Sequence, residues 1–408
     1  MVLINNVNKN ETLEKLKESN REIFIRGAGT QGMETLLLLS ECGINISGFL
    51  DTSENKIGIK IGKYEVIHPN IVYGNKKKGT YFIISAVRYH YDEIKLEMME
   101  HGLEETSDFE DFSIFCDDES DRNSHRKAKR KVYAEYMNVY NTLPYMELDE
   151  TIFESKNFMA DLDFVVTEYC NLKCKGCSHL IPYIKRPCHF DSNLIVRDLE
   201  KLLTVSRVFV IGIMGGEPLL YQNLAKILEE IASLPNIYNA QVVRIVTNGA
   251  MPMNEKVLKA LKKIPIEHYV YISNYEEKSK YTQQIVQMCE KWDIPYYAQD
   301  YSFQWIDFGE PDINHGYTKE QLKYIYNNCA VANTCYQLID GQFYSCARIP
   351  TLIREGYTSF DSHAYVDVRN SDENLEEQLY NFMYQTDYIE ACQNCLGQLS
   401  NSKLIRKG

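Results

Sequence analysis

The sequence predicts an α/β protein whose main domain is built on parallel strands, and three observations predict it. From about residue 160, short apolar runs of strand length recur at 161–167, 208–214, 242–247, 269–273 and 295–298. Between them lie runs with helical apolar spacing at 193–205, 223–233, 254–263 and 281–292. Strands separated by helices of this length need crossover connections, which gives a βα barrel or an open parallel sheet.

The chain has 408 residues, which at about 150 per domain suggests two or three domains. Its 44% apolar and 25% charged residues exclude a disordered chain. Lys+Arg 44 against Asp+Glu 57 leaves −13, so neither nucleic acid nor an anionic membrane is expected as a partner. No apolar stretch approaches the ~20 residues that span a bilayer. The first residues lack the basic and apolar regions of a secretory signal. A cytoplasmic protein is expected.

The first domain, 1–115, repeats the α/β pattern on a small scale. A strand at 22–26 runs into Gly27-Ala28-Gly29-Thr30-Gln31-Gly32 and then a helical run at 33–42. A strand at 44–50 ends at Asp51, and another follows at 81–86. Gly27, Gly29, Gly32 and Asp51 therefore stand in the context of a dinucleotide fingerprint, with amides facing a phosphate and a carboxylate for ribose hydroxyls. The unit also resembles the Rossmann-like N-terminal domains of bacterial sugar acyltransferases, with Gly58, Gly62 and Pro69 in a similar linker. A purely structural role is the alternative. Residues 116–157 form a linker or solvated helix, marked by an acidic stretch at 104–121 and a sudden basic one carrying Arg122, Arg126, Lys127, Lys129, Arg130 and Lys131.

Twelve cysteines in a reducing compartment are not expected to pair as disulfides. Cys42, Cys116, Cys188 and Cys289 stand alone and read as small buried apolar side chains. The others form two groups. Cys170, Cys174 and Cys177 lie in the loop after the first central strand as CxxxCxxC. Three thiolates this close can hold three corners of an iron–sulfur cubane and leave the fourth iron open to a ligand. A zinc knuckle completed by His179 is the alternative. The next strand ends in Gly215-Gly216-Glu217-Pro218, at the edge where ligands of parallel sheets bind.

CxxxCxxC after one strand and GGEP after the next together resemble the radical S-adenosylmethionine (radical SAM) superfamily. That resemblance implies a partial (βα)6 TIM-like barrel over 158–305, with a 4Fe–4S cluster on Cys170, Cys174 and Cys177 and SAM on the open iron. It assigns Gly215, Gly216, Glu217 and Pro218 to the SAM amino group and methionine backbone. Thr247, Asn248, Ser273 and Asn274, which close the third and fourth strands, take the place of ribose or carboxylate contacts. The residue before the third cysteine is usually aromatic in the family but is Gly176 here, so another side chain, His179 for one, must cover the adenine.

The loop-rich segment 306–408 carries the second group, Cys329, Cys335, Cys346, Cys392 and Cys395. A Gly341-x4-Cys346 hairpin and a later CxxC resemble the auxiliary-cluster domains called SPASM or twitch. Five thiols imply one auxiliary iron–sulfur cluster, of the 4Fe–4S kind; Cys329 fits the twitch spacing, Cys329 and Cys335 together fit the first SPASM cluster, and a structural zinc is the alternative. The function implied is an oxidoreductase that cleaves SAM to a 5′-deoxyadenosyl radical and takes hydrogen from a sugar, nucleotide sugar or other polar small molecule, by oxidation or epimerisation. A flavodoxin or ferredoxin is the implied electron donor. Maturation of a ribosomally made peptide, and an iron–sulfur module without turnover, are the alternatives. The resemblance names no catalytic side chain.

Overall fold

The structure, a computed structural model, describes residues 6–54, 56–87, 91–111, 130–132, 134, 149–300, 305–359, 361–371, 373–399 and 402–405. The chain divides into two compact units, Met1–Val139 and Tyr140–Gly408. Cys116, the basic residues from Arg122 to Lys129 and most of the 116–157 linker lie outside the described residues.

The first unit runs α1 (Asn6–Glu18), β1 (Glu22–Arg26), α2 (Thr30–Glu41), β2 (Gly48–Leu50), β3 (Lys60–Ile61), β4 (Tyr64–Ile67), α3 (Pro69–Asn75), β5 (Tyr81–Ser85), α4 (Tyr91–Glu100) and β6 (Phe109–Asp111). Its sheet order is β3-β4-β2-β1-β5-β6. Only the β3–β4 pair is antiparallel. The apolar stretch Ile23-Phe24-Ile25 sits between two neighbours and is buried, as a central parallel strand requires. β2 is shorter than the 44–50 run suggests, because the Ile44 N–H bonds back to Leu39 O at 2.8 Å and closes α2. The order reverses at β1, the position at which doubly wound sheets open a crevice.

The second unit places β7 (Phe158–Thr167), α5 (Ser192–Thr204), β8 (Arg207–Gly215), α6 (Leu224–Ala232), β9 (Ala240–Thr247), α7 (Glu255–Leu261), β10 (Glu267–Asn274), α8 (Thr282–Trp292) and β11 (Tyr296–Asp300) in regular alternation. The Asp191 carboxylate caps α5 by accepting the Asn193 and Leu194 N–H groups, and Asn254 caps α7. One face of these strands joins the helices in a continuous core through Leu162, Phe164, Ile211, Ile213, Val243 and Ile245. Beyond β12 (Trp305–Ile306) come α9 (Lys319–Asn328), α10 (Ala330–Thr334), β13 (Cys335–Ile339), β14 (Gln342–Tyr344), α11 (Ile349–Arg354), β15 (Val366–Asp367), α12 (Leu375–Gln385) and β16 (Leu404–Ile405).

The large sheet reads β11-β10-β9-β8-β7-β13-β14-β15. The segment 306–408 thus shares the sheet of the central segment. Its β13 lies parallel to β7, with Cys335 opposite Asp161 and Gln337 opposite Asp163. β13 turns into β14 through Asp340 and Gly341, both at positive φ, the two-residue turn that hairpins favour. Among the described residues, no helix is long and apolar enough to cross a membrane.

Candidate metal and cofactor centre

The cysteine loop after β7 and the Gly-Gly-Glu-Pro segment after β8 are locked together by backbone. The Gly216 N–H donates to Thr167 O and the Glu217 N–H to Tyr169 O, each at 2.8 Å. A Cβ on Gly215 would lie 2.1 Å from Thr167 O, and one on Gly216 would lie 2.1 Å from Tyr169 O. Gly215 also needs its φ of +146°, which other residues rarely adopt. Both glycines are therefore required for this loop to lie against the cysteine loop. Overpacking of that kind costs about 1–3 kcal/mol, so Gly216→Ala should lower Tm by roughly 3–10 °C in a calorimetric scan. An unchanged Tm would mean that the loops part without cost.

The end of β9 clamps the same loop. Asn248 Nδ2 donates to Asn171 Oδ1 at 2.8 Å and approaches Cys170 Sγ at 3.7 Å, while Asn171 Nδ2 reaches Ala250 O. Leu172 N–H donates to Cys170 Sγ at 3.4 Å. Burial pushes the Cys170 thiol up to about 12 against that donor, and burial raises Cys177 as well. Thiols in such surroundings ionise readily only against a cationic centre.

Their spacing bears on which centre fits. Zinc at about 2.3 Å from each sulfur holds tetrahedral thiolates about 3.8 Å apart. Among the described residues, one trio of ligand atoms is gathered within 4.8 Å, and it is Asp161, Asp163 and Cys335. The wider trio of Cys170, Cys174 and Cys177 suits the corners of a multi-iron cluster better than a single ion.

Glu217 is fully buried. Its carboxylate accepts the Leu219 N–H at 3.1 Å, the Thr247 hydroxyl at 2.9 Å and the Asn248 N–H at 2.8 Å. Burial raises its pKa to about 7 in spite of these donors. In this structure Glu217 ties the GGEP segment, with Pro218 behind it, to the end of β9. Ser273 and Asn274 close β10 nearby in register: Ser273 O accepts the Ser279 hydroxyl at 3.3 Å, and Asn274 Nδ2 donates to Asp300 Oδ1 at 2.5 Å.

The second cysteine group separates cleanly. Cys329, Cys346, Cys392 and Cys395 line one cavity with Ile325, Leu352 and Arg348. The Gln398 N–H donates to Cys329 Sγ and the Gly397 N–H to Cys395 Sγ, both at 3.3 Å. Backbone donors of this kind tune iron–sulfur centres. Burial pushes Cys346 up to about 12 and raises Cys392 and Cys395. Cys335 is elsewhere. It opens β13, and its thiol donates to Asp163 Oδ2 at 3.4 Å.

Around Cys335 the sheet carries a buried polar face that sequence reasoning missed. Asp161 and Asp163 alternate along β7, and Arg244 on β9 donates to Asp161 Oδ2 at 2.6 Å. Gly212 on β8 leaves them room, since a Cβ there would lie 3.4 Å from Arg244 Nε and 3.5 Å from Asp163 Oδ1. His179, two residues beyond Cys177, contacts Gln337 Nε2 through Nδ1 at 3.0 Å and lies 3.8 Å from Asp163 Oδ2. The signal was present in the sequence: two aspartates two apart in an apolar strand, an arginine inside β9 and a glutamine inside β13.

In the first unit, Gly27 and Gly29 join β1 to α2, and Gly32 lies in the first turn of α2. Gly27 is at φ +108°, and a Cβ on Gly32 would fall 2.0 Å from Gly27 O. Space over Gly29 is open. Asp51 already accepts the Ala28 and Ser53 N–H groups at 2.9 Å and the Lys56 ammonium at 3.3 Å. Burial works to raise its pKa, but Lys56 and the two N–H donors outweigh it and hold the carboxyl below its ordinary value. A carboxyl depressed on folding stabilises above its unfolded pKa of about 3.9, and that stability is lost as pH falls through the folded value. Asp51→Asn should therefore be less stable than the parent at neutral pH, with the gap closing below about pH 4. Urea midpoints across that range test it, and a pH-independent gap would contradict it.

Residues 164–273 match the family model of the Radical SAM superfamily, so this stretch is a radical SAM domain. Two curated proteins named GTP 3′,8-cyclase are similar to part of the chain. That of Clostridium acetobutylicum is 30% identical over 128 residues, covering 28% of this chain and 38% of the relative. That of Moorella thermoacetica is 27% identical over 128 residues, covering 28% and 37%. The chain thus spans little more than a third of the length of these relatives. Among solved structures, BtrN in complex with AdoMet and 2-DOIA covers 60% of this chain and 98% of its own, at 17% identity and a TM-score of 0.36. Histidine-tagged anSMEcpe with bound AdoMet covers 56% and 82%, at 12% identity and a TM-score of 0.35.

Proposed function

We propose that this radical SAM domain belongs to an enzyme that cleaves S-adenosylmethionine and removes hydrogen from a polar small molecule. Cys170, Cys174 and Cys177 hold the four-iron cluster, and Cys329, Cys346, Cys392 and Cys395 hold an auxiliary one. With SAM bound, the first cluster supplies the electron that releases a 5′-deoxyadenosyl radical. The protein's own part is positional. Gly215 and Gly216 let two loops meet, Glu217 fixes the β9 end against them, and Asn248 donates toward the sulfur of Cys170. The observation that carries the reading is that interlock, which sets three thiols and the GGEP segment at one carboxyl edge of a parallel sheet.

An auxiliary centre in the segment that completes the same sheet suits an oxidation, in which a second electron must leave the substrate; a flavodoxin or ferredoxin supplies the first electron. The open space over Gly29 supports a nucleotide-bearing ligand for the N-terminal unit, with Asp51 left to hold its loop. Anaerobic reconstitution should give about eight irons per chain, from two four-iron clusters. Reduction in the presence of SAM should then yield 5′-deoxyadenosine. Iron-loaded protein that yields none would remove the enzyme reading and leave a binding module.

A further inference from the structure

Beneath the cysteine loop lies the buried polar face of Asp161, Asp163, Arg244, Cys335 and Gln337. Asp161 is 2% exposed, Asp163 5% and Gln337 1%. Nothing in the packing of the sheet requires two carboxylates there, because the helices cover the other face. The charges do not balance. Arg244 pairs with Asp161, and its charge also acts on Asp163, which has the His179 imidazole and the Cys335 thiol beside it, so one guanidinium serves two buried carboxylates. A second buried carboxylate that must share one cation is costly, since each buried ion loses several kcal/mol of hydration after relaxation.

Two acceptor atoms of this face have no donor. Asp161 Oδ1 and Gln337 Oε1 are buried and receive no hydrogen bond, and both are acceptors. Such acceptors are tolerated when a ligand brings the donors. Phosphate, which is anionic, would meet both carboxylates, and the Arg244 guanidinium beside them is already engaged by Asp161. The position also fits a substrate. Asp163 stands four residues before the end of β7, about 13 Å at 3.3 Å per residue, and His179 reaches down to it from the cysteine loop.

We infer that Asp161, Asp163 and Gln337 form the recognition site for an ammonium-bearing, hydroxylated substrate, held on the polar face of the sheet below the cysteine loop. Asp163 takes the ammonium, and Asp161, steadied by Arg244, accepts hydroxyl donors together with Gln337. This rests on the proposed function, whose sheet edge supplies the reactive group.

The test uses the full chain, reconstituted anaerobically and saturated with SAM, with glucosamine, glucose and glucose 6-phosphate as probes in ligand-observed NMR titrations. Glucosamine should bind at least tenfold more tightly than glucose, and glucose 6-phosphate no better than glucose. Asp163→Asn with the parent's iron content should lose the glucosamine preference. Gln337→Glu, which adds a third carboxylate, should increase it, and this variant decides the matter if Asp163→Asn fails to fold. Equal affinities, or a preference for the phosphate, would overturn the inference. So would tight uptake of zinc or manganese that depends on Asp163, since the site would then be a metal site. 5′-Deoxyadenosine formation by the parent protein is measured alongside. Its absence overturns the proposed function, whereas its presence without an amine preference overturns only the substrate class.

Discussion

A Cys170→Ala, Cys174→Ala, Cys177→Ala triple variant is expected to hold about four irons per chain instead of about eight and to form no 5′-deoxyadenosine. The three thiols share one loop, pinned by Gly216 and Asn248 from two other strands. Removing them deletes one centre without touching the cavity that holds Cys329, Cys346, Cys392 and Cys395. Iron analysis and chromatography of the reduced reaction measure both quantities. Full iron retention in the triple variant would move the first cluster to other residues.

The second large effect is a contrast between two cysteines of the cavity and Cys335, whose part as a ligand the sequence left open. Cys392→Ser with Cys395→Ser should also halve the iron, because both line the four-thiol cavity. Cys335→Ser should keep all of it, because its sulfur faces Asp163. Both variants carry the same conservative change, so the difference reads position alone. Iron lost on Cys335→Ser, or kept on the double change, would contradict the assignment of four ligands.

Local features were the legible ones. The alternation of strands and helices from 158 to 300, the cysteine and glycine loops at strand ends, and the Asp340-Gly341 turn all follow from patterns within a few residues. What depended on distant pairing was hidden. Cys329 and Cys335 are six residues apart, yet α10 turns one into the cavity and register with β7 turns the other onto the polar face. The carboxylate of Glu217 has a motif that suggests a ligand, but two of its donors come from Thr247 and Asn248 at the end of the next strand. Asp161 and Asp163 gain meaning only once Arg244 and Gln337 are set beside them. The glycines of the GGEP segment are needed for contact between two loops, which spacing alone could not distinguish from room for a ligand.

The pairing of β13 with β7 also has a consequence for synthesis of the chain. All ten residues of β7 are buried, and its second neighbour arrives only when the residues opposite Asp161 and Asp163 emerge; Cys335 follows Asp163 by 172 residues. At ribosomal rates of about 5–20 residues per second, that edge stays unpaired for on the order of ten to thirty seconds. An apolar strand with a free edge is a template for pairing with other chains. Chains ended before Cys335 should therefore collect in inclusion bodies, and slower growth temperatures or a chaperone that shields strand edges should raise the yield of the full-length protein.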